Sequence, residues 1–105
     1  MKNDNIELGG KKYRIEFNWN AISVWMDITG KSIDHLVDMK DVRGSELTEL
    51  CYQSVVEGCR RDGVEFPYSK LDFGAELNPK TIGDLMKVLE RHMQSRTSIV
   101  NPKKK

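Results

Sequence analysis

Apolar and polar residues alternate in two short runs near the start of the chain. Ile6 and Leu8 are interleaved with Asn5 and Glu7, and Tyr13, Ile15 and Phe17 with Arg14 and Glu16. A period of two residues is that of a strand with one covered face, and Gly9-Gly10 between the runs supplies the left-handed conformations of a tight hairpin turn. The spacing predicts a hairpin over residues 5–17, and a two-residue turn fixes its register: Leu8 opposite Lys11, Glu7 opposite Lys12, Ile6 opposite Tyr13 and Asn5 opposite Arg14. Ile6, Leu8, Tyr13, Ile15 and Phe17 then share one face. A two-stranded hairpin is marginal in water by itself, so that face needs a cover.

After Phe17 the period lengthens to three and four. Asn18 is placed to cap a helix whose Ala21, Ile22, Trp25 and Ile28 form one stripe, and Gly30 stands where a left-handed C-terminal residue is wanted. Ser32 begins a short second helix carrying Ile33, Leu36 and Val37. Residues 39–44 break the pattern and read as a loop. From Ser45 the stripe is the strongest in the chain: Leu47, Leu50, Cys51, Ser54, Val55, Gly58 and Cys59, with Glu46 and Glu49 near its start, Arg60 and Arg61 near its end and Gly63 as its stop. Its small residues, Ser54, Gly58 and Cys59, leave room for a neighbouring element to approach. Residues 64–67 read as a connector and 69–77 as a short irregular helix. Asn78-Pro79 opens a last helix that buries Ile82, Leu85, Met86, Leu89 and Met93 and runs to about Gln94. The expected fold class is α+β: an N-terminal β-hairpin packed on a small helical assembly of three main helices plus short ones. Residues 1–95 form a single hairpin-plus-helices domain, and 96–105 form a flexible basic C-terminal tail.

The chain has 105 residues, enough for one core and too few for two. Its 17 basic and 16 acidic residues are interspersed except at Lys103-Lys104-Lys105, which argues against a concentrated phosphate-binding patch and against nucleic acid as a partner. No leader-like segment follows the polar start. The longest apolar stretch, 21–26, is interrupted by Ser23 and far too short for a bilayer, so the expectation is a cytoplasmic protein that does not enter the membrane.

Candidate chemistry is sparse. His35 and His92 are the only residues suited to acid–base work at neutral pH, and they belong to different helices. His35 lies among Asp34, Asp38 and Asp41, which reads as a solvated acidic face, because a second group of ligands to complete a metal site is missing. Gly9-Gly10-Lys11-Lys12 lacks the glycine spacing and the following helix of a phosphate loop, and the hairpin accounts for it. Cys51 and Cys59, about 12 Å apart along one helix, cannot bridge and read as small buried side chains. No catalytic residue, cofactor or metal is therefore expected. The work is expected from adhesive surface, with Trp19, Met26, Met39 and the hairpin edges as the candidates for partner binding.

The order of elements carries a resemblance. The glycine-containing hairpin with Tyr13 and Phe17, then Asn20-Ala21, then Ile28-Thr29-Gly30-Lys31-Ser32-Ile33, then a long helix over 45–62, resembles the small tail assembly chaperones of long-tailed bacteriophages and prophages. The resemblance covers about residues 6–93, and its Thr29-Gly30-Lys31-Ser32 reads structurally as a helix stop followed by a helix start. It implies a non-enzymatic protein that binds tape-measure and tail-tube proteins during tail morphogenesis. Such a protein would act in the cytoplasm of the bacterial host, stay out of the mature virion and sometimes form a homo-oligomer. Two other readings compete with it: a structural tail accessory protein that remains in the particle, and a small DNA-binding regulator. The latter lacks a helix with clustered Arg and Lys, since Arg60-Arg61 is flanked by Glu57 and Asp62.

Overall fold

The computed structural model describes residues 4–38 and 41–100, with 93–100 as backbone. Strands β1 (Asn5–Leu8) and β2 (Lys11–Arg14) pair antiparallel in the register set by Gly9-Gly10: Asn5 with Arg14, Ile6 with Tyr13, Glu7 with Lys12, Leu8 with Lys11. Both turn glycines have positive φ, 59° and 78°, as a primed hairpin turn requires. The ladder continues as a single bond from the Ile15 N–H to the Asp4 carbonyl (2.9 Å), after which the chain leaves β1. Regular pairing is therefore shorter than the 5–17 expected. The alternation of sides nevertheless persists, and Ile6, Leu8, Tyr13, Ile15 and Phe17 are all buried.

The cover is helical. The first helix, α1 (Trp19–Thr29), starts where the Asn18 side chain accepts the Ala21 N–H, and stops at Gly30, whose φ of 76° places it in the left-handed region. It buries Ala21, Ile22 and Trp25. Ile28 does not join them: it is 53% exposed, a correction to the stripe expected from spacing. Helix α2 (Ile33–Asp38) follows at once and buries Leu36, while Val37, also expected inside, is exposed. The His35 side chain sits 3.2 Å from both the Ser32 N–H and its hydroxyl, closing the first turn of this short helix.

Helix α3 (Gly44–Asp62) is the spine. It starts one residue ahead of Ser45 because the Glu46 carboxylate accepts the Arg43 N–H (2.9 Å), and it ends at Gly63 with φ 72°. Its buried stripe, Leu50, Cys51, Ser54, Val55, Gly58 and Cys59, carries both α1 and the hairpin. Trp25 donates its indole N–H to the Glu46 carbonyl (2.7 Å), and Glu16 donates its backbone N–H to the Ser54 carbonyl (2.9 Å). At Gly58 the hairpin comes so close to α3 that an added Cβ would stand 2.0 Å from the Arg14 carbonyl oxygen.

Helix α4 (Lys70–Glu76), capped by Ser69, drives Phe73 fully into the core. The connector before it packs tightly: Phe66 meets the Tyr13 ring edge-on at 5.1 Å and lies 5.9 Å from Phe73, and Tyr68 and Tyr52 complete an aromatic cluster over the turn end of the hairpin. Helix α5 (Pro79–Val100), opened by the Asn78 side chain accepting the Thr81 N–H (2.9 Å), closes the other side with Leu85, Val88 and Leu89. It continues past Gln94 to Val100, so residues 96–100 of the expected 96–105 tail are helix. The result is an α+β fold in which a hairpin packs against a body of five helices among the described residues.

A candidate protein-binding groove

The residues singled out from the sequence fall in different places. Trp19 stands in the first turn of α1 and is 56% exposed. Its neighbours are fastened: Asn18 and Asn20 both donate their side-chain amides to Glu57 Oε2, at 2.8 and 3.1 Å, so the Trp19 backbone is held from both sides. Met26 is half-buried and packs against the core, which leaves it less surface than expected for a docking residue. Met39 lies outside the described residues.

Glu57 is the most heavily used carboxylate in the structure's described part. Though only 7% exposed, it takes a side-on pair of bonds from Arg60, Nε to Oε1 at 3.0 Å and Nη2 to Oε2 at 2.7 Å, besides the two asparagine amides. The Arg60 bonds, with help from Asn18 and Asn20, outweigh the burial that opposes them and hold the carboxyl at about 2, well below its usual range. This ties the start of α1 to the end of α3. Its work is structural.

The reactive-looking residues are likewise engaged. His92 packs its ring against Phe17 (5.6 Å between centroids) with Nε2 3.5 Å from Asp4 Oδ2, while Arg91 bonds the other Asp4 oxygen at 3.0 Å, pinning α5 to the start of β1. His35 turns back to Ser32. Burial pushes the Cys51 thiol up to about 12, and burial followed by the nearby Asp62 raises Cys59, so neither is a thiolate at neutral pH. Among the described residues no three His, Cys, Asp or Glu side chains converge as a metal site would need, and no helix is long and apolar enough to cross a membrane.

The concave surface that invites a partner lies elsewhere, between the end of α1, the first half of α3 and α4. It is an open groove of about 810 Å³. Its lips are Ile28 from α1 and Leu71 from α4, both exposed, the latter at 85%, and its lining includes the small residues Ser45, Thr48, Gly74 and Ala75. Carboxylates line it as well. Glu49, 4% exposed, is paired with Lys70 and accepts an amide hydrogen bond from Gln53 (2.7 Å), and Asp72 lies in the first turn of α4. Neither Trp19 nor Met26 lines this groove. A second hollow, about 660 Å³, lies between the hairpin and the first half of α5 and is lined by the charged Asp4, Glu7, Lys12, Lys80 and Asp84 together with apolar residues such as Ile6 and Leu85.

Spacing missed the groove for a definite reason. Ile28 continues the stripe of α1 in angle but is left 53% exposed, and an angular pattern contains no information about what stands opposite each residue. Leu71 belongs to a helix of seven residues, on which Phe73 takes the inward position. Its one signal was a second large apolar side chain in a helix too short to bury both. Comparison with protein-family models, with curated proteins and with solved structures found no match.

Proposed function

We propose that this chain is a non-enzymatic binding protein for a helical partner, acting as a tail assembly chaperone of a long-tailed phage or prophage on tape-measure protein, tail-tube protein or both. The observation that supports a binding role is the groove, where two large exposed apolar side chains on different helices line one concavity together with small residues. Exposed apolar side chains scattered singly are ordinary, but two that line one concavity gain area together when a third element fills it. A non-enzymatic reading fits the engagement of His35, His92, Cys51 and Cys59 in local packing. The choice of partners comes from the resemblance in the hairpin, in Thr29-Gly30-Lys31-Ser32 and in the long third helix.

The test is co-expression of the full chain with the tape-measure protein of the phage or prophage genome that encodes the chain. The expected result is that the tape-measure protein stays soluble and co-purifies with the chain, that Ile28→Ser together with Leu71→Ser abolishes co-purification, and that purified virions lack the chain. A tape-measure protein equally soluble without the chain would sink the chaperone role. Stoichiometric presence of the chain in virions would instead favour a structural tail accessory.

A further inference from the structure

We infer that the groove between α1, α3 and α4 takes a basic amphipathic helix, with apolar side chains seated between Ile28 and Leu71 and lysine or arginine side chains meeting the acidic wall. The inference rests on the groove being the docking site proposed above and adds the chemistry of what docks there. The apolar half is the two lips and the small lining residues: Ser45, Thr48, Gly74 and Ala75 carry little side chain, so a helix backbone can come close and the partner's apolar residues reach Ile28 and Leu71. The charged half is the imbalance of the lining. Glu46, Glu49 and Asp72 face it with Lys70 as the only lining cation. Lys70 is engaged by Glu49, and Lys31 reaches Glu46 from outside the groove at 3.7 Å. Among the described residues Asp72 has no ion-pair partner.

A helix laid over the groove removes water from that wall. With an apolar or acidic partner, Asp72 loses solvation and gains nothing, and the residual negative charge of the wall repels further carboxylates; a cation opposite Asp72 restores the lost interaction in a medium where it is stronger than in water. The wall therefore discriminates by sign, while the lips supply adhesion.

Titration calorimetry on the full chain at low ionic strength, with two helical probe peptides sharing one leucine stripe and differing in lysine or glutamate at the remaining positions, tests this. The lysine peptide is expected to bind at least about tenfold more tightly, as one well-placed pair provides, with a preference that narrows in added salt and in Asp72→Asn. Binding of the lysine peptide is expected to vanish in Ile28→Ser and Leu71→Ser, both surface changes whose fold is checked by circular dichroism. Equal binding of the two peptides, or a preference unchanged in Asp72→Asn, overturns the charge inference while leaving the groove as a docking site. Failure of both peptides to bind, or binding indifferent to Ile28→Ser and Leu71→Ser, overturns both. Concentration-dependent self-association that the same substitutions abolish would make a second copy the occupant and overturn the inference.

Discussion

Gly58 sits where the end of β2 crosses α3. In an open helix alanine would be better than glycine by about 1 kcal/mol. Here its Cβ would lie 2.0 Å from the Arg14 carbonyl oxygen, and backbone cannot step aside as a flexible side chain can. The strand would have to lift, and the bond from the Glu16 N–H to the Ser54 carbonyl would lengthen with it. Gly58→Ala is therefore expected to lose about 2 kcal/mol net, read as a lower urea midpoint; an unchanged or higher midpoint would show that the hairpin tolerates the methyl. Glu57 makes a prediction of a different kind. Its carboxyl is lowered from the ordinary 4.5 to about 2, so between those values the unfolded chain binds the proton that the folded chain does not. Stability from this group is complete above 4.5 and is lost as the pH falls toward 2. Glu57→Gln is expected to cost about 2 kcal/mol at neutral pH, the worth of hydrogen bonds to a charged group, and to flatten the acid side of the stability profile. Urea midpoints at pH 7 and pH 3 for both proteins check it: parallel declines would assign the acid sensitivity elsewhere.

At the scale of elements, α4 shows how one short helix serves two purposes. Phe73 is its anchor, fully buried against Tyr52 and Phe66, while Leu71, two residues earlier, points outward as a lip of the groove. Phe73→Ala is expected to cost about 3–5 kcal/mol by opening a cavity under the aromatic cluster, whereas Leu71→Ser is expected to change stability by less than about 0.5 kcal/mol and to act on partner binding alone. Comparable melting temperatures for the two variants would contradict this division of labour. The hairpin is the element most completely written in the sequence: Gly9-Gly10 sets the turn, the turn sets the register, and the register sets which side chains are buried. The long stripe of α3 and the caps Asn18, Gly30, Gly63 and Asn78 were legible for the same reason, since each depends on residues a few positions apart. The connector 64–68 was not. Phe66 and Tyr68 follow no period, and nothing local announces that they will meet Tyr13 from across the fold.

At the scale of the whole molecule, one core joins the hairpin to all the helices, and both cysteines lie inside it. A thiol-reactive dye is accordingly expected to leave Cys51 and Cys59 unmodified in native buffer and to label both as urea crosses the unfolding transition. Labelling of either well below that midpoint would reveal a local opening of α3. Burial, which pushes Cys51 up to about 12, protects the thiols twice, by excluding the reagent and by suppressing the thiolate. The sequence by itself determined the class of fold, the hairpin register and most of the inward stripes, because turn chemistry and periodicity act over a few residues and need no knowledge of what lies opposite. Only the tertiary structure decided that Ile28 and Leu71 stay outside and share a groove, that Glu57 gathers Asn18, Asn20 and Arg60, and that Gly58 lies directly under the Arg14 carbonyl. Each of those depends on where one element ends against another, a distance in space that no spacing along the chain encodes.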